Sequence, residues 1–375
     1  MRTVTLEGPE MAKKFRRIGI LTSGGDAPGM NAAVRAVALR ALEEGIEVYG
    51  IRSGYAGLLS DTMELLTPNL VAGLTSHSGT ALWSARCLEF ATPEGVAKAA
   101  ETCRKNEIDA LIVIGGDGTF RGGTDMTLAG IPTIGIPGTI DNDITATDYT
   151  IGFDTAMNTV LYTADCLQNT CESHKRCSVI EVMGRNCGLI ALETGIAVGA
   201  VGTVIPEQPF DEEGFIARIK SLRDSGKRSM LVIVSEGCFT EDGKPYGEYL
   251  AKRINKECGL DTEYDIETKF CRLAHIARGG VPTLTDRLTA TEMGCRAVEL
   301  LLEGKSDRVV AVRHGEIVDL DIRWALAVDR MYKKKLKDGD LDPFTAEEVD
   351  AMRALVKERE QEIADRYKVA NYCAK

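Results

Sequence analysis

Two loops in this sequence set an aspartate inside bare backbone. TSGGDAPGMNAA (22–33) and IGGDGTFRGG (114–123) each leave an apolar, strand-like segment and run into glycines. Glycine lets backbone N–H groups approach an anion with no Cβ in the way, and a helix opening after such a turn aims its positive end at the same place. That combination suits phosphate. An aspartate among the glycines can also hold Mg²⁺ that bridges polyphosphate oxygens, and Asp117 is the candidate. A third loop, GIPGTIDNDITATD (135–148), carries Asp141, Asp143 and Asp148. A carboxylate beside a substrate hydroxyl can take its proton as a phosphoryl group is transferred, while a neighbour contacts metal or fixes orientation. Asp141 and Asp143 point to the same side if the backbone there is extended. Each loop has a plainer reading too: a tight strand-to-helix connection for the glycines, a cluster of Asx-turns for the aspartates. The recurrence of GGD after two apolar strands favours phosphate.

Two familiar nucleotide motifs fail. In G-D-G-T-F-R (116–121) the third glycine of a dinucleotide fingerprint is replaced by Arg121. Gly304-Lys305-Ser306 resembles the tail of a P-loop, but Glu299 stands where its first glycine belongs.

The elements that must position these loops alternate between apolar runs and segments of helical period, the pattern of a parallel sheet with crossover helices. Strands are expected at 17–22, 109–116, 132–137, 177–184 and 229–237, and helices at 30–45, 92–106 and 155–170, the last with Asp154 as its cap. In open α/β sheets ligands sit beyond the carboxyl ends of the strands, where the unusual residues cluster here. The last fifty residues differ. YKKKLKDGDLDPF reads as a charged linker, and Thr345 with Glu348 begins a capping box for a final helix whose alternating charges suggest a solvated or oligomer-flanking surface.

With 375 residues, 44% apolar and 27% charged, the chain can bury a sizeable core. Its net charge of −11 argues against nucleic acid or an anionic membrane as partner. An anionic ligand must then be held by local cations and amides. Eleven cysteines without C-x-x-C spacing read as buried thiols of a reducing compartment. The first seventeen residues lack the apolar region of a secretory signal, and the expected location is cytoplasmic.

The three loops, together with SGTALWSAR, TDYTIGFDTAMNT, VIEVMGRNCG, IVSEG and HIARGGVPTLTDR, resemble the phosphofructokinase family, in particular its bacterial-type ATP-dependent 6-phosphofructokinases, from about residue 17 to 330. The resemblance implies an α/β fold of two Rossmann-like αβα subdomains with mostly parallel sheets. It places a nucleotide-binding subdomain at 17–152 plus 278–331 and a sugar-phosphate subdomain at 153–277, flanked by an extension at 1–16 and a C-terminal linker and helix at 332–375. It also implies Mg²⁺-ATP as donor and fructose 6-phosphate as acceptor. Gly25, Arg86, Cys87, Gly116, Asp117, Gly118 and Thr119 fall on ATP positions, with Asp117 on the metal. Thr139, Ile140 and Asp141 fall on the acceptor hydroxyl, with Asp141 as base and Arg185 offsetting charge on the phosphoryl group. Met183, Gly184, Glu236, His275, Ile276, Ala277 and Arg278 line the sugar-phosphate site. Arg176 and Lys269 reach it from a neighbouring subunit of a homo-oligomer, a tetramer or a dimer.

Pyrophosphate-using relatives carry Asp where Gly118 stands and Lys where Gly138 stands, so two glycines imply an open ATP site, with pyrophosphate as the alternative donor. Lys269 replaces an arginine and loses its bidentate fork, which leaves room for another acceptor such as sedoheptulose 7-phosphate. At the bacterial effector site Arg35 and Lys227 match, but Leu39 and Ser225 replace basic residues, implying altered regulation. The resemblance also implies an extra loop near 238–259, longer than in the short bacterial enzymes. The alternative of another class is a silent sugar-phosphate-binding subunit, against which Asp117, Asp141 and Arg185 all stand intact.

Overall fold

The structure, a computed structural model, describes residues 15–375; positions 1–14 of the expected N-terminal extension lie outside them. Eleven strands form two sheets among the described residues: β1 (Arg17–Thr22), β2 (Glu47–Ile51), β3 (Met63–Leu65), β4 (Ala110–Gly115), β5 (Thr133–Pro137), β6 (Arg176–Val182), β7 (Gly202–Val204), β8 (Met230–Ser235), β9 (Glu267–Arg272), β10 (Arg308–Arg313) and β11 (Glu316–Asp321). The larger sheet runs β11-β10-β5-β4-β1-β2-β3, parallel except for its two antiparallel edge strands. The smaller runs β7-β8-β6-β9, all parallel. β4 and β8 are buried at every position, as the near-continuous apolar runs of doubly covered strands require. The five expected strands all form; the edge strands β3 and β7 are three residues each, and β9 and β11 are broken by charges, so none carries a comparable run.

Strand order creates the site. From β1 the chain steps to β2 on one side and then returns to β4 on the other, so a crevice opens between β1 and β4 at their carboxyl ends. Both GGD loops follow those two strands. In the smaller sheet β6 and β9 are neighbours, and the Met183–Arg185 turn and the His275–Arg278 segment leave their carboxyl ends.

The Met30–Glu43 helix buries Met30, Ala33, Val34, Val37, Ala38 and Ala41 along one side, the helical period that the sequence displays. Its partner is the Leu284–Leu302 helix, approached so closely that a Cβ on Gly294 would lie 2.7 Å from the Ala36 Cβ. The expected helix at 155–170 is longer, Phe153–His174, and its cap is Gly152 rather than Asp154. Gly152 has φ 106°, left-handed backbone that favours glycine, and this moves Asp154 into the first turn. The 238–259 segment is mostly the Tyr246–Cys258 helix packed on β9 and β6, not a loop.

Asp286 ties the 149–155 turn to the Leu284–Leu302 helix. Its carboxylate is fully buried and accepts from Tyr149 Oη (2.5 Å), Gly152 N (2.6 Å), Thr155 N (2.8 Å) and Thr155 Oγ1 (2.5 Å). Burial pushes its pKa up while these donors oppose it. Asp286→Ala leaves four donors without their acceptor and is expected to cost about 3 kcal/mol, read as a shift of the urea midpoint.

The final helix, Ala346–Cys373, has the expected capping box, with Glu348 Oε2 accepting from Thr345 N at 2.8 Å. It is not a free solvated helix. Met352, Leu355, Ile363 and Ala370 are buried, and it packs on the Leu189–Ala197 and Ile322–Tyr332 helices. Arg359 and Arg366 reach from it to Thr147 O and Glu193, so a charged sequence still covers an apolar seam. All eleven cysteines are free, six of them buried, while Cys166 and Cys373 are exposed. Among the described residues no helix is long and apolar enough to cross a membrane.

Candidate active site

The β1–β4 crevice is walled by the two GGD loops, which are tied to each other where Thr119 Oγ1 donates to Ser23 O at 3.2 Å; Tyr55 Oη, from the segment after β2, braces the second loop by donating to Thr119 O at 2.6 Å. Asp117 is the first residue of the Asp117–Leu128 helix, at its positive end. A Cβ on Gly116 or Gly118 would meet nothing within 4 Å, so both present open backbone. Gly138 departs from the expectation of open space. A Cβ there would lie 3.0 Å from Met30 Cε and 3.1 Å from Ile114 Cγ2, so its glycine also answers to core packing. Gly25 is covered by Arg278, whose Nη1 would lie 2.6 Å from a Cβ at Gly25 and donates to Asp26 O at 2.7 Å. Arg86 is exposed, and Cys87 packs partly buried against the Tyr55–Phe90 cluster.

Asp141 is 1% exposed and its Oδ1 has no hydrogen-bond partner. Arg185 Nε lies 3.5 Å from its Oδ2. Burial, then the charge of Asp143, push its pKa up to about 6, while Arg278 and Arg185 pull the other way. Thr139 supports the turn: its Oγ1 accepts from Asp141 N at 3.3 Å and its carbonyl accepts from Thr150 Oγ1 at 2.6 Å. The Ile140 side chain is fully buried in the core, so only its backbone is available to a ligand. Asp141 and Asp143 do not share a side as an extended chain would place them. Asn142 between them is left-handed, with φ 49°, and the turn sends Asp141 toward Arg185 and Asp143 toward Lys333.

Glu236, expected against the sugar, shapes the turn that carries Arg185. Its Oε1 accepts from Gly184 N (3.2 Å) and Arg185 N (2.9 Å). Gly184 has φ 149° and a Cβ there would strike Cys187 O at 2.4 Å, so the turn admits only glycine. Arg185 itself has φ 52°, and its side chain is 65% exposed in the cleft. Met183 is buried at the start of the turn.

The cation at the centre of the acidic cluster is one the sequence reading missed. Lys333 Nζ lies 2.9 Å from Asp117 Oδ2, 3.2 Å from Asp143 Oδ2 and 2.8 Å from Asp329 Oδ2. Burial draws the Lys333 pKa down, but the three carboxylates outweigh it and hold it above the ordinary value. Burial and then Asp117 push Asp329 up to about 7, although Thr145 donates to its Oδ1 from N (3.3 Å) and Oγ1 (3.0 Å). An Asp–Lys pair four apart is an ordinary surface pattern, so nothing in the sequence distinguishes these two. The cluster opens on a cavity of about 880 Å³ lined also by Arg185, and by Arg359, Ile363 and Arg366 of the final helix.

The convergence of Asp117 and Asp143 on one positive charge makes the pair a cation cradle, which fits Mg²⁺. Among the described residues no three or more His, Cys, Asp or Glu side chains form a ready-made metal cage, so such an ion would take one or two carboxylates and complete its shell with phosphate oxygens.

Arg176 and Lys269 are not brought to this cleft. Arg176 pairs with Glu267, as does Lys269 at 2.5 Å, and both belong to the amino-terminal half of the parallel pair β6–β9. Met183–Arg185 leave the other end of β6, about 20 Å from Arg176 at ~3.3 Å per residue. Of the segment after β9, His275 and Ile276 are exposed, Ala277 is buried, and Arg278 reaches the GGD loop. At the expected effector position Lys227 Nζ donates to Lys375 O at 2.7 Å, and Leu39 packs against the core.

A family model described as Phosphofructokinase matches residues 17–301. Over 324 residues the chain is 47% identical to the ATP-dependent 6-phosphofructokinase of Clostridium botulinum (strain Loch Maree / Type A3), covering 86% of this chain and 98% of that protein. Among solved structures, phosphofructokinase from Saccharomyces cerevisiae superposes with a TM-score of 0.78 at 31% identity over 87% of this chain, and that of Pichia pastoris in the T-state with 0.81 at 32% identity over 98%. The chain spans 47% and 40% of those two longer proteins.

Proposed function

The chain belongs to the phosphofructokinase family, and from that premise we propose that it transfers the γ-phosphoryl group of ATP to the 1-hydroxyl of fructose 6-phosphate, forming fructose 1,6-bisphosphate. The observation that carries this reading is Asp141: a buried carboxylate with an unpartnered oxygen, held near neutrality and set beside Arg185. A base of that kind takes the proton of an alcohol as its oxygen attacks phosphorus.

In the proposed mechanism the donor's phosphates lie along the open backbone of Gly116 and Gly118 at the amino end of the Asp117–Leu128 helix, where amides and helix dipole offset their charge. Mg²⁺, held by Asp117 with Asp143, would supply charge neutralisation at the transferring phosphates. Asp141 Oδ1 receives the hydroxyl proton. Arg185, whose backbone is held by Glu236 and whose exposed guanidinium lies 3.5 Å from Asp141, offsets charge on the phosphoryl oxygens. The sugar 6-phosphate is anchored by His275 and Arg278 of one chain and by Arg176 and Lys269 of a second. The distance of Arg176 from its own Arg185 supports a shared site in a homo-oligomer, a dimer or tetramer.

A coupled assay with fructose 6-phosphate and Mg²⁺, run in parallel with ATP and with pyrophosphate, tests the reading; turnover with ATP alone is expected. Turnover with pyrophosphate would overturn the donor, and ligand binding without turnover would support a silent subunit. Gly118→Asp sets a carboxylate in the open space beside Asp117, and the rate with ATP is expected to fall about a hundredfold through repulsion of the phosphates. Lys269, already engaged by Glu267, favours including sedoheptulose 7-phosphate in the acceptor panel.

A further inference from the structure

Lys333 sits where the proposed reaction needs a metal. Its ammonium is within 3.2 Å of Asp117, Asp143 and Asp329, and its side chain is 21% exposed. Two of those carboxylates are the pair assigned to Mg²⁺, and an ammonium and a divalent ion cannot share them without strong repulsion. The lysine is delivered by a segment fastened on both sides. It closes the Ile322–Tyr332 helix, and the chain then crosses exposed residues 334–339 to the final helix. There Arg359 donates to Thr147 O and Arg366 pairs with Glu193, so the helix is anchored on the loop after Asp143 and on the helix following Arg185. This segment lies beyond residues 17–301, the part matched by the family model.

We propose that Lys333 is a built-in occupant of the cation position at Asp117 and Asp143, and that the segment from Lys333 to the final helix is a strap that competes with the divalent ion and yields when metal and nucleotide bind together. The proposal rests on the assignment of Asp117 to the metal. Without a divalent ion the ammonium neutralises part of the acidic cluster and keeps the strap against the cleft. Binding of the ion breaks the Asp117 and Asp143 contacts, leaves Lys333 paired with Asp329 on its own helical turn, and loosens the 334–339 crossing.

Mn²⁺ binding to the full chain, followed by electron paramagnetic resonance of the free ion, tests this without turnover. Lys333→Met and Lys333→Gln are each expected to tighten Mn²⁺ by about tenfold or more, through loss of a competing charge at contact distance. In the unaltered chain, trypsin cleavage at Lys334, Lys335 and Lys337 is expected to speed up when Mn²⁺ and a non-hydrolysable ATP analogue are added together. Unchanged Mn²⁺ affinity in both variants, or cleavage indifferent to metal and nucleotide, would overturn the strap. Asp117→Asn separates the two readings: if it abolishes Mn²⁺ binding while the Lys333 variants bind as the unaltered chain does, only the strap fails. If Mn²⁺ binding does not depend on Asp117, the metal assignment fails and the strap with it.

Discussion

Asp141→Asn is expected to lower kcat by about 10²–10⁴, the usual contribution of a positioned base, with much smaller changes in KM for either substrate. The substitution keeps the shape of the side chain and removes its capacity to accept a proton. In the unaltered enzyme kcat/KM should fall as pH is lowered through about 6, because the carboxylate must be ionised to act and its pKa is pushed up to that value by burial and by Asp143. Stability carries the opposite sign. An acid whose pKa is higher folded than unfolded, about 3.9 in the open chain, binds more protons in the native state throughout the interval between the two values. Its stabilising contribution is complete below pH ~4 and is lost as pH rises through about 6. The difference in unfolding free energy between Asp141→Asn and the unaltered chain should therefore move in favour of the variant by about 2 kcal/mol from pH 4 to pH 7. Urea titrations at those two pH values, with initial rates across the same range, measure both effects; a pH-independent difference would remove Asp141 from the role of poised base.

Arg185→Gln is expected to lower kcat by about 10²–10³, comparable to removing one oriented charge stabiliser, with the fold intact. Folding should survive because the guanidinium is 65% exposed and the turn is held by Glu236 through backbone amides of residues 184 and 185, which the substitution leaves in place. Arg185 also lowers the Asp141 pKa. Its loss should move the acid limb of the pH profile upward, so rates of Arg185→Gln need to be taken well above pH 6. A variant that binds both substrates as before but turns over slowly would agree with a group acting mainly on the transition state. A rise in KM with unchanged kcat would recast Arg185 as a binding residue only.

Most of the fold was legible because its information is local. RIGILT, DALIVIGG and SMLVIVSEG are short apolar runs, rich in β-branched residues and mostly ending at glycine, and that length and composition favour a strand covered on both faces. The loops after them were legible for the same reason: glycine, aspartate and threonine at a strand end restrict what the backbone can do within a few residues. Where a single torsion intervened, local reading failed. The left-handed Asn142 turned Asp143 away from Asp141, and the left-handed Gly152 took the cap expected of Asp154.

The sequence by itself determined the kind of chemistry, an acid cluster and open backbone disposed for phosphoryl transfer, and the layered α/β frame that carries it. Only the tertiary structure decided the company those groups keep. Lys333 meets Asp117 across 216 positions and Asp143 across 190, and Arg278 reaches Asp26 across 252. Arg176, close in sequence to Arg185, starts the strand that Arg185 follows, and the straight rise of that strand sets its two ends about 20 Å apart. The burial that lifts the Asp141 pKa also comes from surrounding parts of the fold. Such contacts follow from strand order and from the path of the final helix, and the period and propensity of a local segment carry no information about either.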